Sequence, residues 1–201
     1  MLPNLITLAR IPLLACIVGL LYQEQVLPRL VAAGLIVLLI LLDTVDGLVA
    51  RATAQTSILG SILDIAADRS VELVLWVAFA DLDLVPIIVP LFVITRGVFV
   101  DALRSIAPAR GLAPFDLVQS ALGRFLVKSP WLRTPYGIVK AVAFCLLALQ
   151  HGFLHYPTQT PRAWIARFAV GATWLAVSMC LVRGLPILIE GPRILSQSPP
   201  A

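Results

Sequence analysis

The chain is 201 residues long, 60% hydrophobic and 13% charged, with a net charge of +4 and a pI near 9.3. At a mean hydropathy of +0.97 it is too apolar and too poor in charge for a water-soluble domain. Nucleic acid is excluded as a partner, because the cations sit at helix ends or in one loop and no nucleic-acid motif accompanies them.

Each membrane span needs about 20 apolar residues, so the chain has room for about six and for no separate soluble domain. Apolar runs predict helices over about 5–22, 28–50, 57–81, 84–105, 135–156 and 163–189, an all-α six-helix membrane bundle forming one domain over 1–201. "IPLLAC" at 11–16 loosely resembles a lipoprotein cleavage box. No basic residue precedes Arg10, however, and the stretch to Cys16 is too short for a signal-peptide core, so 5–22 reads as a retained span. Cys16, Cys145 and Cys180 lie in apolar segments and read as buried small hydrophobes, with no disulfide framework.

Of the connecting segments, "YQEQVLPR", "DLDLVP" and "HYPTQTPRAW" make one set of turns, with Arg29 and Arg162. The other set, "RATAQTS" and 105–134, carries Arg51, Arg110, Arg124, Lys128 and Arg133, with Arg104 and Lys140 at the flanking helix ends. That excess of cations assigns the second set and both termini to the cytoplasm. Phe115, Val118, Leu122 and Phe125 recur at helical spacing, so 113–130 is either a short interfacial helix or a loop covering the bundle ends. His151 and His155 have a metal-like spacing, but no carboxylate or thiolate completes a set; surface or interfacial positions are expected. The tail "SQSPPA", 196–201, reads as disordered.

Against this apolar background, "LLDTVDGLVARATAQTSILGSILDIAADRS", 41–70, carries Asp43, Asp46, Asp64 and Asp68. An ionised aspartate at a bilayer centre costs on the order of 2.5–3.5 kcal/mol, so something must offset four. Asp43 and Asp46 share one helix face with Gly47, Ala50 and Arg51 following, while Gly60, Asp64 and Asp68, spaced by four, form a stripe on the next, antiparallel helix. Converging carboxylates need cations between them. Oxygen donors with no Cys or His beside them favour Mg²⁺ or Mn²⁺, two ions to neutralise four charges, and a paired-metal centre suits phosphate or pyrophosphate chemistry. The small residues Gly47, Ala50 and Gly60 leave space for a nucleotide or simply let helices pack closely.

Written out, Asp43-x2-Asp46-Gly47-x2-Ala50-Arg51-x8-Gly60-x3-Asp64-x3-Asp68 resembles the signature of the CDP-alcohol phosphotransferases at all eight positions. The opening "PNLITLAR", Pro3 to Arg10, is similar to the P-N-x-x-T-x-x-R start of many members, although many carry a longer interfacial helix before it. The resemblance implies a membrane enzyme, often homodimeric, that moves a phosphatidyl group from CDP-diacylglycerol to an alcohol and releases CMP in phospholipid biosynthesis. It implies that Asp43, Asp46 and Asp64 hold the metals, and that Asp68 touches a metal and acts as base on the acceptor hydroxyl. Asp43, Asp46, Gly47, Ala50, Arg51 and Gly60, with Asn4 and Thr7 of the opening motif, would form the CDP site. A bacterial cytoplasmic membrane, with the site on its cytoplasmic side, is the expected location.

Arg69, Glu72, Arg96 and Asp101 read either as structural ion pairs or as parts of the acceptor site. Arg104, Arg110, Arg124, Lys128, Arg133 and Lys140 exceed what orientation needs and favour an acceptor that carries phosphate. Glycerol 3-phosphate is the first expectation, because "PNLITLAR" looks like phosphatidylglycerophosphate synthases. "LDIAADR" is reminiscent of phosphatidylinositol synthases, so inositol or inositol phosphate is the alternative; serine, a second phosphatidyl acceptor giving cardiolipin and an unusual alcohol also stay open. A cation transporter using the quartet as an ion path is the alternative of another class.

Overall fold

The computed structural model describes the backbone of residues 2–52, 58–107, 117–153 and 159–196, and their side chains except at 2–6, 44, 46–52, 58–59, 61, 128, 130–133 and 159–162. The described chain is helical throughout: α1 (Leu2–Leu21), α2 (Val26–Ala52), α3 (Ile58–Asp81), α4 (Ile88–Ile106), α5 (Ala121–Lys128), α6 (Pro130–Gly152) and α7 (Gln159–Ser196). Six long helices coincide with the six apolar runs, and α5 is the short addition. The expected disordered tail, beyond Ser196, lies outside the described residues.

Among the described residues, Val26–Asp43 in α2 and Ala163–Ser196 in α7 are long and apolar enough to cross a membrane, and the apolar stretch Thr7–Leu21 of α1 is shorter. Charge interrupts α3 and α4. Asp64, Asp68, Arg69 and Glu72 lie within α3, and Arg96, Asp101 and Arg104 within α4.

Residues 1–87 and 141–171 form one compact unit, and 88–140 and 172–201 another. In the first, α1 packs against both α2 and α3. Ile17, Leu21, Ile36, Leu39, Leu75 and Phe79 are buried, and Trp76 meets Phe144 of α6 edge-on at 4.8 Å between ring centroids. Backbone groups at the helix ends have no partner within the helix and must find one elsewhere. Accordingly the buried His151 donates from Nε2 to the Leu21 carbonyl (2.9 Å), and Arg29 Nε donates to the Gln23 carbonyl (2.6 Å). His151 is therefore a buried helix-end partner rather than a surface residue; His155 lies outside the described residues.

Tyr22 Oη donates to Asp81 Oδ2 at 2.6 Å, which joins the end of α1 to the end of α3. α3 closes with the paired bonds of a Schellman turn: Leu84 N–H to Phe79 O (2.9 Å) and Asp83 N–H to Ala80 O (3.1 Å). Asp83 takes the left-handed conformation this requires (φ 57°), one that Asp tolerates better than most residues. Among the cysteines only Cys180 is fully buried. Cys145 is half-buried, and Cys16, expected inside, is exposed.

In the second unit, Val100, Val118, Val127 and Ile187 form a core with Leu103 and Leu188 packed on it. Ser120 caps α5, its Oγ accepting from Gly123 N–H (3.0 Å). Glu190 of α7 accepts from the Gln119 and Ser120 N–H groups (2.8 and 2.9 Å) and from Ser120 Oγ (2.5 Å). A Cβ at Gly123 would collide with Val118 Cγ1 of the capping turn and stand 2.6 Å from Ser120 Oγ and 2.9 Å from Glu190 Oε1. The expected apolar stripe divides here. Val118 is buried in the capping turn, whereas Leu122 and Phe125, on the helix proper, are 70% and 57% exposed.

Candidate active site

Thr7 and Arg10 lie three residues apart on α1, share one face and are both buried, at 3% and 2% exposure. That face looks between α2 and α3. Arg10 Nη1 stands 2.6 Å from Asp43 Oδ1 on α2 and 3.8 Å from Asp64 Oδ1 on α3. The two acidic side chains are themselves 42% and 57% exposed, so cation and carboxylates meet with the cation on the inner side. The contact is electrostatic rather than directional, because neither Nη1 nor Nε makes an aligned hydrogen bond. One guanidinium thus stands between carboxylates from two helices.

Asp68 lies one turn beyond Asp64 and is partly buried, as is Gly60 one turn before it. The side chains of Asn4, Asp46, Gly47, Ala50 and Arg51 lie outside the described residues. Among the described residues no group of three or more His, Cys, Asp or Glu is assembled for a metal. The pair that does converge offers hard oxygen donors from two helices around a position already taken by positive charge, a donor set that suits a hard divalent cation.

The sequence reading gave Arg10 no role. A signal was present, since a lone cation in an otherwise apolar helix must find a carboxylate partner. Arg69 and Glu72 form the expected ion pair (Nη1 to Oε2, 3.2 Å), with Glu72 only 2% exposed. Arg96 behaves differently, its side chain lying across α7 at Gly184, where a Cβ would stand 3.0 Å from its Cγ.

Of the expected acceptor cations, Arg110, Lys128 and Arg133 lie outside the described side chains. Arg104 is partly buried on α4, and Arg124 is exposed on α5 with its charge acting on Glu190. Lys140 Nζ lies 5.7 Å and the Arg183 guanidinium 5.4 Å from the centroid of the Tyr136 ring, so two cations gather on one aromatic group. Sequence reasoning missed Arg183, which is folded into the long apolar run of α7.

The family model for CDP-alcohol phosphatidyltransferases matches residues 1–182. The chain is also similar to the rat (Rattus norvegicus) protein cardiolipin synthase (CMP-forming), 38% identical over 101 residues; the match takes in 50% of this chain and 32% of the rat protein, so the chain spans about a third of that relative's length. The match runs from the Arg10 motif through all four aspartates and across α2, α3, α4 and α6, and the chain belongs to the CDP-alcohol phosphatidyltransferase family, enzymes that transfer substituted phosphate groups in phospholipid biosynthesis.

Proposed function

We propose that this chain moves a phosphatidyl group from CDP-diacylglycerol to a phosphate-bearing alcohol, with release of CMP. The observation that carries the reading is the convergence of Asp43 and Asp64, from separate helices, on one buried cation. Asp43, Asp46, Asp64 and Asp68 would hold two divalent ions, Mg²⁺ or Mn²⁺. Those ions, when bound, supply the charge that stabilises the pyrophosphate and the departing CMP. The chain's own part is to place the acceptor and remove its proton. Asp68 takes the proton from the acceptor hydroxyl as the new phosphorus–oxygen bond forms and the bond to CMP breaks. Asn4, Thr7, Gly47, Ala50, Arg51 and Gly60 form the CDP site.

Glycerol 3-phosphate is the first candidate acceptor, supported by the cations Arg104, Arg110, Arg124, Lys128, Arg133 and Lys140, to which Arg183 is added by its place beside Lys140. The rat relative favours a second reading, in which the acceptor is phosphatidylglycerol and the product cardiolipin. Both alcohols bring a phosphate for Arg and Lys to bind. Inositol and inositol phosphate are kept as comparators, and an enzyme family leaves the transporter reading without support.

In this reading all six long helices cross a bacterial cytoplasmic membrane as one domain, with the aspartates in its cytoplasmic half, and two copies form a homodimer. Exposed apolar side chains support the spans: Leu8 on α1, Leu41 on α2, Ile65 on α3, Phe99 on α4, Ile138 on α6 and Phe168 on α7. The test is to give the purified protein CDP-diacylglycerol with glycerol 3-phosphate, phosphatidylglycerol, inositol, inositol phosphate or serine, and to identify the lipid formed as CMP appears. No CMP from any of them, or cation flux in liposomes without CMP, overturns the proposal.

A further inference from the structure

We propose that Arg10 is the resident counter-ion of the aspartate site: it holds Asp43 and Asp64 together while no metal is bound and yields their oxygens when a divalent cation arrives. The inference rests on the proposed metal-holding role of Asp43 and Asp64, and it assigns a positioning residue rather than a catalytic one.

Three observations carry it. A single nitrogen, Nη1, lies near carboxylates from two different helices, so it offsets the repulsion that would otherwise separate α2 from α3 at this point. The guanidinium is 2% exposed while its partners are 42% and 57% exposed, so the carboxylates can take a ligand from the open side without first losing the cation behind them. The third observation is the absence of aligned hydrogen bonds at Nη1 and Nε. An arginine placed only to lock two helices would form the paired, fork-like bonds that carboxylates offer. At Nη1 and Nε, Arg10 supplies charge without such bonds, and its charge is permanent because guanidinium does not deprotonate in proteins. A divalent ion at the same oxygens repels it, so metal binding and the Arg10 contact oppose one another.

The test compares full-length wild-type protein, Arg10→Met and Arg10→Lys in detergent, by thermal unfolding in chelator and in saturating Mg²⁺, and by Mn²⁺ binding followed through the spin resonance of the free ion. Arg10→Met should unfold roughly 5–15 °C below wild type in chelator, and Mg²⁺ should restore most of the loss. It should also bind Mn²⁺ about tenfold more tightly, because a positive charge beside the ion is gone. Arg10→Lys, which keeps the charge, should fall between the two in chelator and match wild-type Mn²⁺ affinity.

A thermal loss of equal size in chelator and in Mg²⁺ would reduce Arg10 to packing and overturn the proposal. So would unchanged or weaker Mn²⁺ binding by Arg10→Met, or a wild type that binds no Mn²⁺. Should Arg10→Met fail to fold in either condition, Arg10→Lys decides: a loss confined to chelator supports the proposal and an equal loss refutes it. Neither readout requires turnover, so failure of the transfer assay alongside intact Mn²⁺ binding would refute the reaction and leave the counter-ion role standing.

Discussion

The two ends of α1 handle buried polarity in opposite ways. At Leu21 and Tyr22 every tie is directional and short: His151 to a helix-end carbonyl, Arg29 to the next turn's carbonyl, Tyr22 to Asp81. At Arg10, about 16 Å away along the helix, a buried cation meets carboxylates from two helices with no aligned hydrogen bond at Nη1 or Nε. Short, directional bonds of this kind fix geometry, so the first end fastens the fold. The second end gathers charge from three helices without fixing it in aligned bonds at Nη1 or Nε, an arrangement typical of places where a ligand or metal binds.

If that contrast is correct, then in saturating metal substitutions at the Arg10 end should disturb reaction and metal binding more than stability, and those at the Tyr22 end the reverse. The largest effect is expected at Asp68. Asp68→Asn keeps size and polarity but cannot accept a proton, so turnover should fall by about 10²–10⁴-fold while CDP-lipid binding persists. Both are measured on one preparation across a metal titration, and rescue of turnover by excess metal would make Asp68 only another ligand.

Next come Asp43→Asn and Asp64→Asn. Each removes a charged oxygen from a shared site and should weaken Mn²⁺ affinity by about tenfold or more, with rate falling alongside. A rate that survives in chelator contradicts this.

His151→Ala probes the opposite end. It leaves the Leu21 carbonyl without its partner, a cost of about 1–3 kcal/mol, and should lower Tm with or without metal while the variant's turnover at low temperature stays at the wild-type value. A change in Mn²⁺ affinity in this variant would erase the distinction between the ends.

The smallest expected effect concerns Tyr22. Its hydrogen bond to Asp81, with burial and the Asp81 charge adding to it, raises the phenol from its ordinary pKa of 10 to about 12. The folded state then binds the proton more tightly than the unfolded one, so this stabilisation is complete below pH 10 and is lost as pH rises from 10 through 12. Tyr22 is 48% exposed, which keeps the contribution small. Tyr22→Phe should cost about 1–3 °C at neutral pH and flatten the alkaline fall in Tm.

Much of this molecule is legible in its sequence because its signals are local. Continuous apolar runs marked the six long helices, although α7 runs on to Ser196, and the aspartate pattern singled out Asp43 and Asp64, the two carboxylates that meet Arg10. What escaped depends on contacts between distant segments. Nothing near Glu190 announces that it holds the start of α5, some seventy positions earlier. Arg183 is a single cation in an apolar run until Tyr136 is folded against it. The stripe over 113–130 left helix and loop open because periodicity carries no information about where a helix begins; α5 begins after Ser120, past the buried Val118, and Phe115 lies outside the described residues.

α7 runs for 38 residues, a contour of about 57 Å against roughly 30 Å of hydrocarbon in a bilayer. As a membrane helix it can therefore mismatch in one direction only. No ordinary bilayer is too thick for it, and it accommodates thickness by tilting or by emerging into water, without drawing the leaflets inward. Glu190, near the C-terminal end of this helix, holds the start of α5, so a tilt of that end carries the exposed Leu122 and Phe125 with it.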